Sequence, residues 1–143
     1  MTYRRLGLGG ACLFVAAWVG YATHDVEGGK KVDTRVFEMR TYYAHPGKME
    51  ALHARFRNHT NKLFVKHGMT LIGYWSPVDE KQSAEKMIYI LAYPSKAAAD
   101  KSWADFRKDP DWIKARNASE TEGPLVAKVD SVYMNPTDYS PIK

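Results

Sequence analysis

The chain has 143 residues, of which 45% are hydrophobic and 13% aromatic, enough for one domain with a hydrophobic core and too apolar for a disordered chain. Its formal charge is +5, which falls to +3 if Arg4 and Arg5 are removed with an export signal, and so small an excess predicts no nucleic-acid partner. The single cysteine, Cys12, lies in the same segment, so we expect no disulfide or thiolate site in the mature chain.

The first 22 residues have the pattern of an export signal. Arg4 and Arg5 precede an uncharged apolar run over residues 6–22, which ends on the small residues that signal peptidase requires. We therefore expect an exported, periplasmic protein. If the segment is not cleaved, it would anchor the protein in the membrane, because about 17 apolar residues approach the length that spans a bilayer.

This interpretation divides the chain into three parts. Residues 1–22 are the signal peptide or N-terminal anchor, residues 23–34 are a polar, glycine-bearing lead-in, and residues 35–143 are the folded domain.

The folded domain begins with a strand and a long helix. Residues 35–43 alternate and are rich in Val, Phe, Thr and Tyr, which is typical of a partly buried strand. Residues 48–67 then carry apolar side chains at helical spacing, and Gly68 is placed to end the helix.

Two further strands are predicted next, at residues 69–76 and 86–93. The charged segment over residues 77–85 is predicted to be the loop that joins them.

The remaining elements have clear boundary signals. Ser95 is a good N-cap for a helix that runs to about Lys108, and Asp109 followed by Pro110 starts a second, shorter helix. Residues 126–134 form the last predicted strand.

The order strand, helix, strand, strand, helix, strand predicts an α+β, ferredoxin-like βαββαβ sandwich, with helices on one face of an antiparallel sheet. Aromatic residues occur on all four strands, so some must lie on the face without helices. A large apolar patch on a soluble domain marks an interface, which predicts a homodimer that pairs sheet to sheet.

Several motifs occur in a fixed order along the domain. Phe37-Glu38-Met39-Arg40-Thr41-Tyr42 is followed by Lys66-His67-Gly68 and Gly73-Tyr74-Trp75, and later by Leu91-Ala92-Tyr93-Pro94-Ser95 and Asp109-Pro110-Asp111-Trp112. In this combination the chain resembles the NIPSNAP family from about Val36 to its end. The resemblance implies a dimeric α+β barrel, and it implies an exported bacterial type of the family, whose activity is unassigned.

Two histidines are candidate catalytic residues. The spacing of His59 with Leu52, Phe56 and Leu63 predicts that it faces the sheet, where it is either a general base or a core histidine satisfied by a hydrogen bond. His67 in the last turn is either a second candidate base or a cap for the helix carbonyls.

Arg40 shares a strand face with Glu38 and Tyr42, because their spacing is two residues. Such a pair could bind a carboxylate of a ligand, with Arg40 and Tyr42 as substrate-binding residues. It could equally be an interfacial ion pair that fixes the register of the dimer.

Four further aromatic residues are candidate substrate-binding residues: Tyr74, Trp75, Tyr89 and Trp103. They either line a flat apolar cavity, as in related barrel monooxygenases, or form an ordinary aromatic core. No metal site is predicted, because the five histidines show no pair at i, i+4 and no carboxylate cluster; the isolated glycines predict no nucleotide cofactor.

Three functions remain open at this point. The first is a homodimer that binds a small apolar or aromatic molecule between helices and sheet. The second is a cofactor-free enzyme of the monooxygenase or isomerase kind, with His59 or His67 as the base. The third is a protein-interaction scaffold that uses the sheet edge or the C-terminal tail.

Overall fold

Strands and helices alternate in the computed structural model, which describes residues 35–143. The predicted signal segment and lead-in lie outside these residues. In chain order the elements are β1 (Val36–Ala44), α1 (Met49–Arg55), a π-helical segment (Phe56–Thr60), α2 (Asn61–Lys66), β2 (Thr70–Trp75), α3 (Glu80–Glu85), β3 (Lys86–Tyr93), α4 (Lys96–Lys108), α5 (Pro110–Ser119) and β4 (Val126–Met134).

The four strands form one antiparallel sheet in the order β2-β3-β1-β4. The first strand therefore lies inside the sheet, between the third and the fourth. This order and connectivity confirm the predicted ferredoxin-like α+β fold.

Local capping chemistry sets several helix ends as predicted. The Ser95 hydroxyl accepts a hydrogen bond from the Ala98 amide at 3.1 Å, and the Asp109 carboxylate accepts one from the Asp111 amide at 2.8 Å. Gly68 follows α2 with a φ of 77°, a left-handed conformation that glycine adopts without steric cost.

The prediction of a plain loop over residues 77–85 was wrong. Part of this segment forms α3, because Asp79 caps the helix by accepting a hydrogen bond from the Gln82 amide at 2.9 Å. The strands β2 and β3 are thus joined through a short, exposed helix.

The predicted helix over residues 48–67 is helical throughout but is not a continuous α-helix. Residues 56–60 form a π-helical segment between α1 and α2. A π-turn takes more residues than an α-turn, so every side chain after it is rotated relative to the α-helical pattern. Thr60 is consequently buried, at 2% exposure.

One face of the sheet packs on the helices and forms the core; we call it the inner face. Its strand residues include Tyr89 and Leu91, both fully buried, and they contact Leu52, Phe56 and Phe64 from the helical layer. The inner face is therefore the place where buried side chains of strands and helices meet.

The opposite side of the sheet, which we call the open face, is apolar and only partly covered. Val132 is 50% exposed and Trp75 is 49% exposed, and Met39, Ile88 and Ile90 are half-buried around them. Among residues 35–143 no helix is long and apolar enough to cross a membrane.

Candidate functional site

A carboxylate lies buried at the centre of the inner face. Glu38 on β1 is 0% exposed, and its two oxygens accept four hydrogen bonds. Oε1 accepts from Arg40 Nη1 at 2.7 Å and from Ser131 Oγ at 2.6 Å. Oε2 accepts from Tyr93 Oη at 2.8 Å and from Trp103 Nε1 at 2.7 Å. The hydrogen-bonding capacity of Glu38 is thus used by β1, β3, β4 and α4 together.

These contacts determine the charge of Glu38. Burial alone would raise its pKa, but the hydrogen bonds from Ser131 and Trp103 and the positive charge of Arg40 outweigh burial, so the pKa lies below its ordinary value. Glu38 is therefore an ionised carboxylate at neutral pH, and its role is to hold its four donors in place.

Arg40 is held between this carboxylate and two aromatic rings. Its guanidinium carbon lies 4.2 Å from the centre of the Trp103 ring and 5.6 Å from that of Tyr42. Burial would lower the pKa of Arg40, but Tyr42, Tyr89 and Glu38 raise it, so the guanidinium stays charged.

The interpretation of Glu38 and Arg40 as an ion pair of a sheet-to-sheet interface was wrong. Both side chains point at α4, where Trp103 contacts each of them, and not at the open face. The reason is the alternation of the strand, which puts Glu38, Arg40 and Tyr42 on the inner face and Met39 on the open face.

Hydroxyl groups line the same face beside Arg40. Register places Ser131, Arg40, Tyr89 and Tyr74 opposite one another, in one row across all four strands. Burial raises the pKa of Tyr74 and of Tyr89 above the ordinary value for tyrosine, so both hydroxyls stay protonated. Neither hydroxyl has a hydrogen-bond partner among residues 35–143.

The π-helical segment packs directly on these tyrosines. The ring of Phe56, its first residue, makes edge-to-face contacts with Tyr42, Tyr74 and Tyr89 at centroid distances of 5.8, 5.8 and 5.3 Å. Thr60, its last residue, has a buried hydroxyl without a partner in the described part of the chain. π-Helical turns occur frequently at functional sites.

A cavity of about 320 Å³ opens between this helical layer and the ends of β2 and β3. Phe56 and Met87 give it apolar walls, and Tyr74 gives it a hydroxyl. Asn61, the first residue of α2, contributes a side-chain oxygen that is buried without a partner within residues 35–143. The remaining lining residues are His53, Arg57, Trp75 and Ser76. We call this space the Tyr74 cavity.

His59 does not face the sheet, so that prediction was wrong. Its side chain is exposed and lies on the outer side of the helical layer, in a cleft against α5. The π-helical segment is the physical reason, because it turns Thr60 into the buried position that an unbroken α-helix would give to His59.

His67 lies at a second place, at the end of α2. Its Nε2 is 2.7 Å from Asp109 Oδ2, and the same carboxylate contacts Lys66 Nζ at 2.7 Å. The hydrogen bonds from Lys66 and His67 hold the pKa of Asp109 well below its usual range. His67 thus ties the end of α2 to the N-cap of α5 and does not line the Tyr74 cavity.

The substrate-binding candidates separate into two groups. Arg40, Tyr42, Tyr74, Tyr89 and Trp103 are brought together on the inner face, and only Tyr74 lines the cavity itself. Trp75 lies half-exposed at its rim, with its ring over Gly73, where an added Cβ would come within 2.7 Å of the indole.

Sequence reasoning missed His53 and Asn61, which line the cavity from the helical layer. Their spacing of eight residues, with Arg57 midway, was the available signal, because it puts all three on one flank of the helix. Apart from Arg40, the donors to Glu38 were missed because Tyr93, Trp103 and Ser131 lie 55 to 93 residues away along the chain.

The fold and the inner-face cluster define the class of protein as a ferredoxin-like α+β domain with a polar group of side chains buried between sheet and helices. The NIPSNAP family model matches residues 37–141, which is most of the chain, and this protein belongs to the NIPSNAP family. The resemblance seen in the ordered motifs is thereby confirmed.

Solved structures agree with this fold. The chain is similar to a NIPSNAP family protein of unknown function from Agrobacterium tumefaciens, with 20% identity and a TM-score of 0.66 over 78% of this chain and 96% of that one. A second NIPSNAP family protein from the same organism is 21% identical, with a TM-score of 0.66 over 76% and 99% of the two chains.

An uncharacterised NIPSNAP-like domain protein from Burkholderia xenovorans is 17% identical, with a TM-score of 0.64 over 75% of this chain and 89% of that one. At such identities the likeness concerns the fold alone. No curated protein matches the chain.

Proposed function

We propose that this NIPSNAP domain binds a small aromatic molecule in the Tyr74 cavity, and that the molecule carries a polar group able to donate and accept hydrogen bonds. The observation that carries the proposal is a pair of buried polar atoms at a cavity with both apolar and polar walls. The Tyr74 hydroxyl and the Asn61 side-chain oxygen have no partner among residues 35–143. Buried polar atoms in native proteins are almost always hydrogen-bonded, so this pair is suited to a ligand whose polar group can hydrogen-bond to both.

The size and walls of the cavity favour an aromatic ligand. Its volume of about 320 Å³ is within the lower range of small-molecule sites, and an apolar cavity of about 150 Å³ already holds benzene. Phe56 and Met87 would contact the ring, while Tyr74 and Asn61 would fix its polar end.

The charges around the cavity favour binding over proton transfer. The pKa of Tyr74 is raised by burial, which makes its hydroxyl a donor and not a base at neutral pH. His59 and His67, the two candidate bases named from the sequence, lie outside the cavity, and the histidine that lines it, His53, was not among them. We therefore favour a binding protein over a monooxygenase- or isomerase-like enzyme.

Benzamide, phenol and toluene test the proposal in ligand-observed NMR with the full chain. Benzamide and phenol should bind more tightly than toluene, which has no hydrogen-bonding group. Tyr74→Phe should weaken benzamide binding about threefold to tenfold, the value of one hydrogen bond. Tyr139→Phe, at an exposed tyrosine of the tail, is the matched control and should change nothing.

A second variant separates binding in the cavity from binding elsewhere. Ser76→Trp would fill the mouth of the cavity from an exposed position, and it should abolish binding of benzamide without unfolding the domain. Equal affinity for toluene and benzamide, or unchanged binding to Tyr74→Phe and Ser76→Trp, would overturn the proposal.

We further propose that the protein is a homodimer that buries the open face. Support comes from the half-exposed Val132 and Trp75, which would otherwise leave an apolar sheet surface in contact with water. Light scattering of the full chain should give the mass of a dimer, and Val132→Lys should give a monomer. A monomeric mass of the unchanged protein at micromolar concentration would contradict the proposal.

The proposed location is the periplasm, because residues 1–22 have the pattern of an export signal. Cell fractionation with mass spectrometry of the mature N-terminus tests this. Cleavage near Thr23 would support export of a soluble protein, whereas an intact N-terminus in the membrane fraction would support the anchored form.

A further inference from the structure

The helical layer has a second concave surface, on the flank opposite the Tyr74 cavity. It lies between the helix of residues 49–66 and α5, and it consists of two adjoining clefts of about 540 and 270 Å³. The two clefts share His59, Ala115 and Ala118, so they form one continuous groove. We call it the α5 groove.

Small side chains line the floor and walls of the α5 groove. Ala51 and Ala54 contribute from α1, and Ala115 and Ala118 contribute from α5. Side chains that end at Cβ allow the backbone of another segment to approach closely. This part of the groove therefore fits a peptide segment better than it fits a compact ion.

One end of the groove is positively charged. Lys62 and Lys114 line it together with Lys66 and Asp111, and neither Lys62 nor Lys114 pairs with a carboxylate among residues 35–143. Lys66 lies beside them, but Asp109 and Asp111 already compensate its charge. Lys62 and Lys114 thus leave a local positive excess beside the alanine-lined floor.

We propose that the α5 groove is a docking site for a short acidic segment of a partner protein, with Glu or Asp side chains at Lys62 and Lys114 and small side chains along the alanine floor. Charge complementarity defines the acidic end of this partner, and the close approach allowed by Ala115 and Ala118 defines the remainder. The proposal is independent of the Tyr74 cavity, because the two surfaces lie on opposite flanks of one helix.

Fluorescence anisotropy with the full chain tests the proposal. The probe is a fluorescein-labelled peptide of alternating glutamate and alanine, and the control peptide has glutamine in place of every glutamate. The glutamate peptide should bind, and the glutamine peptide should bind at least about fivefold more weakly, as expected for the loss of two exposed charge pairs.

Charge reversal at the groove needs a control with the same change in net charge. Lys62→Glu combined with Lys114→Glu should weaken the glutamate peptide by about fivefold or more. The control combines Lys81→Glu with Arg107→Glu, two exposed positions outside the groove, and should leave the affinity within about twofold. Equal losses in both double variants would show a nonspecific charge effect and would overturn the proposal.

Steric blocking tests the alanine floor separately. Ala118→Trp fills the groove from an exposed position and should abolish peptide binding while the melting temperature stays unchanged. Unchanged binding to Ala118→Trp would overturn the proposal. Displacement of the peptide by inorganic pyrophosphate, at the same total concentration of negative charge, would also overturn the proposal. It would show that the site binds small anions and not a peptide segment.

Discussion

The Trp103 indole nitrogen donates a hydrogen bond to Glu38 Oε2 at 2.7 Å, and this contact ties α4 to the central strand β1. The same carboxylate holds Arg40, whose guanidinium lies against the Trp103 ring. Removing the charge of Glu38 should therefore loosen both the strand and the helix.

Glu38→Gln should lower the free energy of unfolding by about 2–5 kcal/mol, because a neutral amide cannot accept four hydrogen bonds and leaves Arg40 without its counter-ion. Urea denaturation of the two proteins at neutral pH measures this difference. Asp130→Asn, at a half-buried carboxylate on β4, is the control. A loss no larger than that of the control would contradict the central structural role of Glu38.

At acidic pH, the free energies of unfolding of the wild type and of Glu38→Gln should become more similar. The pKa of Glu38 is below its ordinary value of 4.5 in the folded state, so its stabilisation is present above that value and is lost as the pH falls towards the folded-state pKa. Denaturation at a series of pH values measures the gap between the two proteins. A gap that stays constant below about pH 4.5 would contradict the lowered pKa.

Two fully buried tyrosines on β3 should respond oppositely to loss of the hydroxyl. The Tyr93 hydroxyl donates to Glu38, so Tyr93→Phe should cost about 1–3 kcal/mol. The Tyr89 hydroxyl has no partner among residues 35–143, so Tyr89→Phe should leave the stability within about 0.5 kcal/mol or raise it. Thermal or urea denaturation compares them. Equal losses would contradict the contacts assigned to these hydroxyls.

Much of the fold follows from local sequence patterns. The bounds of β3 and β4 were predicted correctly. The apolar and aromatic run of β3 ends at Pro94, and Gly123-Pro124 ends the helix before β4, so both signals lie within or next to the segments themselves. The caps at Ser95 and Asp109 were predicted for the same reason, since an N-cap contacts residues only two or three positions ahead.

The candidate site could be predicted only in part. Arg40, Tyr42, Tyr74, Tyr89 and Trp103 were named, but the donors to Glu38 lie 55 to 93 residues away along the chain beyond the neighbouring Arg40, and only the sheet order brings them together. His59 was misplaced because the π-helical segment rotates the residues in and after it relative to an α-helix, and the spacing of apolar residues does not reveal this rotation.

The π-helical segment determines how substitutions of His59 and Thr60 should affect stability. His59→Ala should leave the free energy of unfolding within about 0.5 kcal/mol, because the imidazole is exposed. Thr60→Val, one position further, should keep or raise the stability, because its buried hydroxyl has no partner in the described part of the chain. If urea denaturation shows that His59→Ala loses much of its free energy of unfolding, His59 is buried as in an unbroken α-helix, and the exposed position given to it here is contradicted.

Asp109 should be more important than an ordinary N-cap. Asp109→Ala removes the cap of α5 and also the contacts with His67 and Lys66, so it should lower the melting temperature more than Ser95→Ala, which removes only a cap. Differential scanning fluorimetry compares the two variants directly. An equal or smaller effect of Asp109→Ala would show that the contacts with His67 and Lys66 add nothing to stability.

Native mass spectrometry of the protein purified from its own exported compartment tests the binding proposal most directly. We expect a dimer that carries the extra mass of a small molecule, and we expect Ser76→Trp, purified in the same way, to lack that mass. An unchanged protein with the mass of its polypeptide alone, or a Ser76→Trp variant with the same extra mass, would contradict the assignment of the Tyr74 cavity as a binding site.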